Sequence, residues 1–180
     1  MKLLLDTCVL YPTVMREMLL GAARLGHFVP LWSTRILGEW ERAAVKLGPT
    51  GAAQAGAEIA LIRANWPQAE LPPAPGLETR LWLPDEADIH VLAVAVSGSA
   101  DAIVTMNNKD FPRNILTEEG LKRLGPDELL YDFWLQDNDG LEQLGQRVLG
   151  EAIRLSGKTW QIRPLLKKAR LPRLAKALAG

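Results

Sequence analysis

The sequence predicts a three-layer α/β/α domain with a mostly parallel central sheet, followed by a helical C-terminal extension. Two observations carry the α/β part. The short unbroken apolar runs Leu3-Leu4-Leu5 and Ala102-Ile103-Val104-Thr105 read as strands buried on both faces, as parallel strands are. The segments between them carry helical periodicity, and strand–helix alternation builds parallel sheets with helices on their faces. The third observation concerns the extension: after Pro112 every apolar pattern reads as helical.

Taken in order, Leu3 to Leu5 is the first strand, and Asp6 with Thr7 ends it. Pro12 stands near the start of a helix in which Val14, Met18, Leu19 and Ala22 share a face, stopping at Gly26. His27 to Leu31 reads as a second strand. Ser33 or Thr34 is the N-cap for a helix from Ile36 through Val45, and Gly48-Pro49 ends it. A further helix is expected from Ala52 to Ala64. The proline-rich stretch from Trp66 to Gly76 reads as an exposed connector. Asp85 caps a helix running to Val96 with Ile89, Leu92, Ala93 and Val96 on one face, and Ser97-Gly98-Ser99 stops it. The strand Ala102–Thr105 leads into the polar cluster Asn107, Asn108 and Asp110. Helices are then expected around Thr117–Leu124, Asp127–Leu135 and Leu141–Ser156, with a basic helix closing the chain.

Composition narrows the class. With 180 residues, 48% hydrophobic and 23% charged, the chain is long enough to bury a sizeable core and is not of the disordered type. No apolar stretch reaches bilayer-spanning length. The opening residues lack the basic, apolar and small-residue sections of a signal peptide, so a cytoplasmic protein is expected. Cys8 is the only cysteine, which excludes an internal disulfide and a thiolate metal cluster, and a free cysteine is usually a small core residue. The formal charge is zero but unevenly spread. Residues 151–180 hold eight lysines and arginines against Glu151 alone, a balance of +7, so residues 1–150 carry −7. A basic end on an acidic body points to a polyanion or a partner, or to the solvated face of a terminal helix whose leucines, Leu165, Leu166, Leu171, Leu174 and Leu178, face inward.

Four acids stand where chemistry is expected: Asp6, Glu39, Asp88 and Asp110. A carboxylate at the exit of a buried strand is unfavourable unless paired or bound to a cation, and several together hold a hard divalent ion through oxygen. Ligands of parallel sheets bind beyond the carboxyl ends of the strands, where Asp6 and the 105–110 cluster lie. Each acid also has a plainer role. Glu39 can be a solvated helix residue, Asp88 can serve the first turn of its helix, and Asp110 can cap the turn before Phe111-Pro112. Thr7 and Thr105 are candidates to donate hydroxyl hydrogen bonds to the acids. His90, two residues past Asp88, is expected on another side of the helix, packed or partly exposed. The six tryptophans are dispersed and more suited to core or interface than to base stacking. No Ser-His-Asp set, P-loop or GxGxxG pattern is present.

The segments LLLDTCVL, LGEWER, DEADIHVLAVAV and ADAIVTMNNKDFP, in that order, resemble the PIN-domain family, and within it the VapC-type ribonuclease toxins of type II toxin–antitoxin pairs. The resemblance covers residues 1–115, leaving residues 116–180 as a helical extension with a basic tail. It implies a parallel sheet flanked by helices with an acidic pocket that binds Mg²⁺ or Mn²⁺ and cleaves RNA. Asp6 matches the family's first acid, Glu39 its second and Asp88 its third. For the fourth, Asp110 matches the DF form of the motif, while Asn107 stands where other members carry an aspartate and offers only an oxygen or a hydrogen bond. The resemblance further implies an RNA substrate, a cognate antitoxin and a homodimer. The competing expectation is a PIN fold without activity that acts through protein contacts; a metal-dependent phosphatase or DNA nuclease using the same acids is a third.

Overall fold

The computed structural model describes all 180 residues. Its centre is a five-stranded, all-parallel sheet flanked by helices, the expected α/β/α class. The strands are β1 (Lys2–Leu5), β2 (Val29–Ser33), β3 (Glu70–Leu71), β4 (Ala102–Val104) and β5 (Lys122–Leu124), in the order β3-β2-β1-β4-β5. Leu3, Leu4 and Leu5 are wholly buried because β1 is central, with Leu4 opposite Leu31 on one side and Ile103 on the other. The chain leaves β1 toward β2 and β3, then returns to lay β4 and β5 on β1's other side. That reversal between β1 and β4 is the topological switch point where open parallel sheets place ligands.

By compactness the chain divides into two units, residues 1–8 with 29–123, and residues 9–28 with 124–180. The first holds the sheet with α3 (Thr34–Val45), α4 (Gly48–Asn65), α5 (Pro75–Glu78), α6 (Ile89–Ser97) and α7 (Arg113–Glu118), and α1 (Thr7–Leu10) begins in it. Ser33 ends β2 and accepts a hydrogen bond from the Ile36 N–H at 3.2 Å, capping α3. Pro30 is tolerated within β2 because its missing N–H falls on the side of β3, which pairs only with Trp32 and Ser33. Trp32 and Trp40 are buried in the core, whereas Trp82 is exposed.

The second unit holds α2 (Thr13–Arg24), α8 (Pro126–Gln136), α9 (Asn138–Ser156), α10 (Ile162–Lys168) and α11 (Pro172–Ala177). Helix α2 packs on α8 and α9, and α11 on α8 and α10. His27 stacks on Phe133 with centroids 4.8 Å apart, and its Nε2 lies 3.3 Å from Asp137 Oδ2. Asp127 accepts from the backbone N–H groups of Arg173 and Leu174 at 2.9 and 3.1 Å, capping the start of α11 from a different helix.

Several expectations for individual elements need correction. The second strand runs two residues later than His27–Leu31. The Trp66–Gly76 connector contains β3 and the start of α5, with Ala69 buried; its prolines leave just enough N–H-bearing chain for a two-residue edge strand. The region after Pro112 is not wholly helical. Gly120, at φ +74°, ends α7, and the next residues form the edge strand β5 instead of the last turn of a helix. Helix α6 is buried from His90 through Ala95 while Ile89 and Val96 are half-exposed, so it lacks the single apolar face expected. The closing helix is two helices, broken where Arg170 takes φ +61° and Pro172 removes an N–H. Leu165, Leu166, Leu171 and Leu174 are buried while Arg163, Lys167, Arg170 and Lys176 are exposed. No helix is long and apolar enough to cross a membrane.

Candidate functional site

Asp6 follows β1 and Thr105 follows β4, so the switch point is lined by an acid and a hydroxyl. Asp6 is 6% and Thr105 1% exposed. The Thr105 hydroxyl donates to Asp6 Oδ2 at 2.7 Å and accepts from the Asn107 backbone N–H at 2.9 Å. One side chain thereby fixes both the buried carboxylate and the turn after β4. The Cys8 thiol donates to the same Asp6 oxygen at 3.0 Å and accepts from the Met106 N–H at 3.3 Å. Burial and the Asp6 charge push this thiol up to about 12, so it stays a neutral donor. Cys8 is half-buried and holds Asp6, rather than simply filling the core as expected.

Asp88 stands in a 3-10 turn, Glu86–Asp88, ahead of α6 and not within the α-helix. Asp85 caps that turn by accepting from the Ala87 N–H at 2.9 Å. The cap Asp85 and the turn's last residue, Asp88, stand three apart in the chain and bring their carboxylates close together. Asp110 joins them: ligand oxygens of Asp85, Asp88 and Asp110 all lie within 4.8 Å of one another. The Asn107 amide bridges this group. Its Nδ2 donates to Asp88 Oδ2 at 3.2 Å and its Oδ1 accepts from the Asp110 N–H at 3.4 Å.

Glu39, on α3, has both carboxylate oxygens engaged. The Thr7 hydroxyl donates to Oε2 at 2.8 Å and also reaches the Ile36 carbonyl. His90 Nε2 lies 2.8 Å from Oε1, close enough for an ion pair but without the alignment of a straight hydrogen bond, and both ring nitrogens lack an aligned partner. Arg35 Nε is 3.9 Å from Oε1. Burial raises the Glu39 pKa, but the His90 ring, the Thr7 hydroxyl and Arg35 together outweigh it and hold the carboxyl below its ordinary value.

Asp88 goes the other way, pushed up to about 6 by burial and then by the charges of Asp6, Asp85, Asp110 and Glu39, in that order. All four acids thus act on Asp88. A carboxylate raised by its own neighbours marks negative charge that the protein leaves uncompensated. Three carboxylates at this separation with uncancelled charge suit a hard divalent cation taking oxygen ligands, so the donor set fits Mg²⁺ or Mn²⁺.

The structure brings the carboxylates of Asp88 and Asp110 together and adds that of Asp85, read from the sequence only as a cap. Asp6 and Glu39 stand outside that trio, within electrostatic reach of Asp88 and held by Thr105, Cys8, Thr7 and His90. The spacing of Asp85 and Asp88 was visible in the sequence, but their approach depends on how the capped turn folds back on Asp110. His90 carried no such signal, because its contact depends on α3 meeting α6.

A family model described as PIN domain matches residues 2–109, from β1 through the turn before Phe111. No curated protein and no solved structure matches.

Proposed function

The chain belongs to the PIN-domain family, whose members are generally nucleases, and on that premise we propose that it is a metal-dependent endoribonuclease, the toxin of a toxin–antitoxin pair. The observation that carries the reading is the convergence of Asp85, Asp88 and Asp110 beyond the carboxyl end of the sheet, with the charges of Asp6 and Glu39 behind them.

Asp85, Asp88 and Asp110 are the residues that would hold the cation. When bound, Mg²⁺ or Mn²⁺ supplies an activated water and neutralises charge at the scissile phosphate. The chain's own groups set the stage for this. Thr105 and Cys8 orient Asp6 at a buried strand end, Asn107 ties Asp88 to the Asp110 turn, and Thr7 holds one oxygen of Glu39. Without its cation the pocket repels RNA, so affinity for the polyanion must come from elsewhere. The exposed Arg163, Lys167, Arg170 and Lys176 provide it in this reading, and they equally suit an antitoxin. A free Cys8 fits the reducing cytoplasm, and the family likeness favours a homodimer.

The competing reading, an inactive PIN fold acting through protein contacts, rests on Asn107, which brings an amide rather than a carboxylate to Asp88. Cleavage of single-stranded RNA by the purified protein in Mn²⁺, in EDTA, and by an Asp6→Asn variant separates the two. The nuclease reading expects Mn²⁺-dependent cleavage that the variant loses; equal background from both proteins supports the binding module. The toxin role predicts growth arrest on expression, relieved by Asp6→Asn and by a small protein encoded in the adjacent reading frame.

A further inference from the structure

His90 is 2% exposed and sits in the one stretch of α6 that is buried on every side, among Val91, Leu92, Ala93, Val94 and Ala95. A leucine would fill such a position without bringing polar atoms out of water, whereas an imidazole there is unfavourable unless something uses it. Neither ring nitrogen has an aligned hydrogen-bond partner, and its one close polar neighbour is Glu39 Oε1 at 2.8 Å. Packing alone therefore does not account for a histidine at this place.

Glu39 has a second claimant. Arg35, one turn earlier on α3, lies 3.9 Å from the same oxygen and 3.7 Å from Glu78. The Thr7 hydroxyl holds only Oε2, which leaves the carboxylate free to pivot between the ring on α6 and the half-exposed guanidinium at the surface. The buried ring and the exposed guanidinium both stand against the same oxygen, at 2.8 and 3.9 Å.

We propose that His90 is a positioning residue that holds the Glu39 carboxylate inward, at the acidic group around Asp88, against the competing pull of Arg35. It joins the helix that follows Asp88 to the helix that carries Glu39, so the two acids keep a fixed separation. The proposal rests on the metal-dependent reading of the site. Substitution of groups that orient an ion's surroundings weakens metal affinity or activity by roughly 10- to 100-fold, and that is the size of effect expected here.

The test is Mn²⁺ binding by the full chain, followed by calorimetry, for wild type, His90→Leu, His90→Gln and His90→Leu combined with Arg35→Ala. His90→Leu keeps the packing and should bind Mn²⁺ roughly tenfold or more weakly while unfolding no more easily without metal. His90→Gln, which restores a side-chain N–H, and the double variant, which removes the competitor, should each recover most of the affinity. Wild-type affinity in His90→Leu overturns the proposal. If His90→Leu does not fold, His90→Gln and Arg35→Ala decide: near-wild-type affinity in both supports it, and weakened binding in Arg35→Ala overturns it by making Arg35 the positioning group. RNA cleavage measured alongside keeps the two ideas apart. Wild type that binds Mn²⁺ but leaves RNA intact removes the nuclease and leaves the role of His90 standing; wild type that cleaves RNA while His90→Leu binds normally removes only the latter.

Discussion

Thr105 donates its hydroxyl to Asp6 across 2.7 Å, joining the residues that follow the two strands flanking the switch point. Asp6 is buried, and the bond is one of only two side-chain contacts that solvate its Oδ2 in place of water. Thr105→Val keeps the shape and removes the donor. Because a buried acceptor loses its partner, we expect a loss of about 1–3 kcal/mol in metal-free urea unfolding near pH 7. The Asn107 N–H loses its acceptor in the same variant, so the turn that carries Asp110 should loosen and Mn²⁺ binding should weaken too.

The pH dependence of stability follows from Asp88. Its pKa is raised from 3.8 to about 6 in the fold, so it stabilises the protein while protonated, a contribution complete below about pH 4 and lost as pH rises through 6. Glu39 is shifted down from 4.5 and acts oppositely, contributing above its ordinary value and losing that as the pH falls. Between pH 4.5 and 6 Asp88 therefore sets the slope. Metal-free protein should lose on the order of 1–2 kcal/mol across this window, allowing for partial exposure. Mn²⁺ should stabilise the protein more at pH 7 than at pH 5, because its ligands must be deprotonated. Urea unfolding with and without Mn²⁺ at both pH values checks this.

Asn107 divides two influences that a single substitution can separate. Asn107→Asp replaces the amide that donates to Asp88 at 3.2 Å with a further negative charge. Metal-free stability should fall by about 1–2 kcal/mol, and Mn²⁺ should restore more than it adds to wild type. Thermal unfolding in EDTA and in Mn²⁺ reads both effects; equal metal response in the two proteins would show that position 107 does not face the ion.

Outside the site, α2 packs tightly against α9 at Gly21. A Cβ built there would meet Leu144 Cδ1 at 2.2 Å and Cδ2 at 2.9 Å, and Leu144 is itself buried. Alanine normally strengthens a helix interior relative to glycine. Here Gly21→Ala should instead destabilise by about 1–3 kcal/mol, and the same substitution should cost less when made in a Leu144→Ala background, read by denaturant unfolding.

Much of this was legible from the sequence for one physical reason: central parallel strands have no polar face, so Leu3–Leu5 and Ala102–Val104 stand out as unbroken apolar runs, and the acids at their ends follow. The edge strands were not legible. Glu70-Leu71 and Lys122-Arg123-Leu124 are short, partly exposed and polar, and they are strands only because β2 and β4 offer them free edges. Asp85 reads as a cap, and it is one. That its carboxylate also lies beside Asp88 and Asp110 depends on the fold of the turn and of the loop after β4. His90 is packed as expected, but its contact with Glu39 was not legible, because helix periodicity describes one helix and the contact comes from another.

Asp88→Asn, measured for cleavage and for stability in the same preparation, tests the carboxylate cluster most directly. The variant keeps an oxygen for the Asn107 amide and removes the charge that its neighbours disfavour. RNA cleavage in Mn²⁺ should fall by at least about 100-fold, while the metal-free protein should unfold at a higher denaturant concentration than wild type. Undiminished cleavage, or a variant less stable than wild type without metal, would contradict a cluster of carboxylates strained to receive a cation.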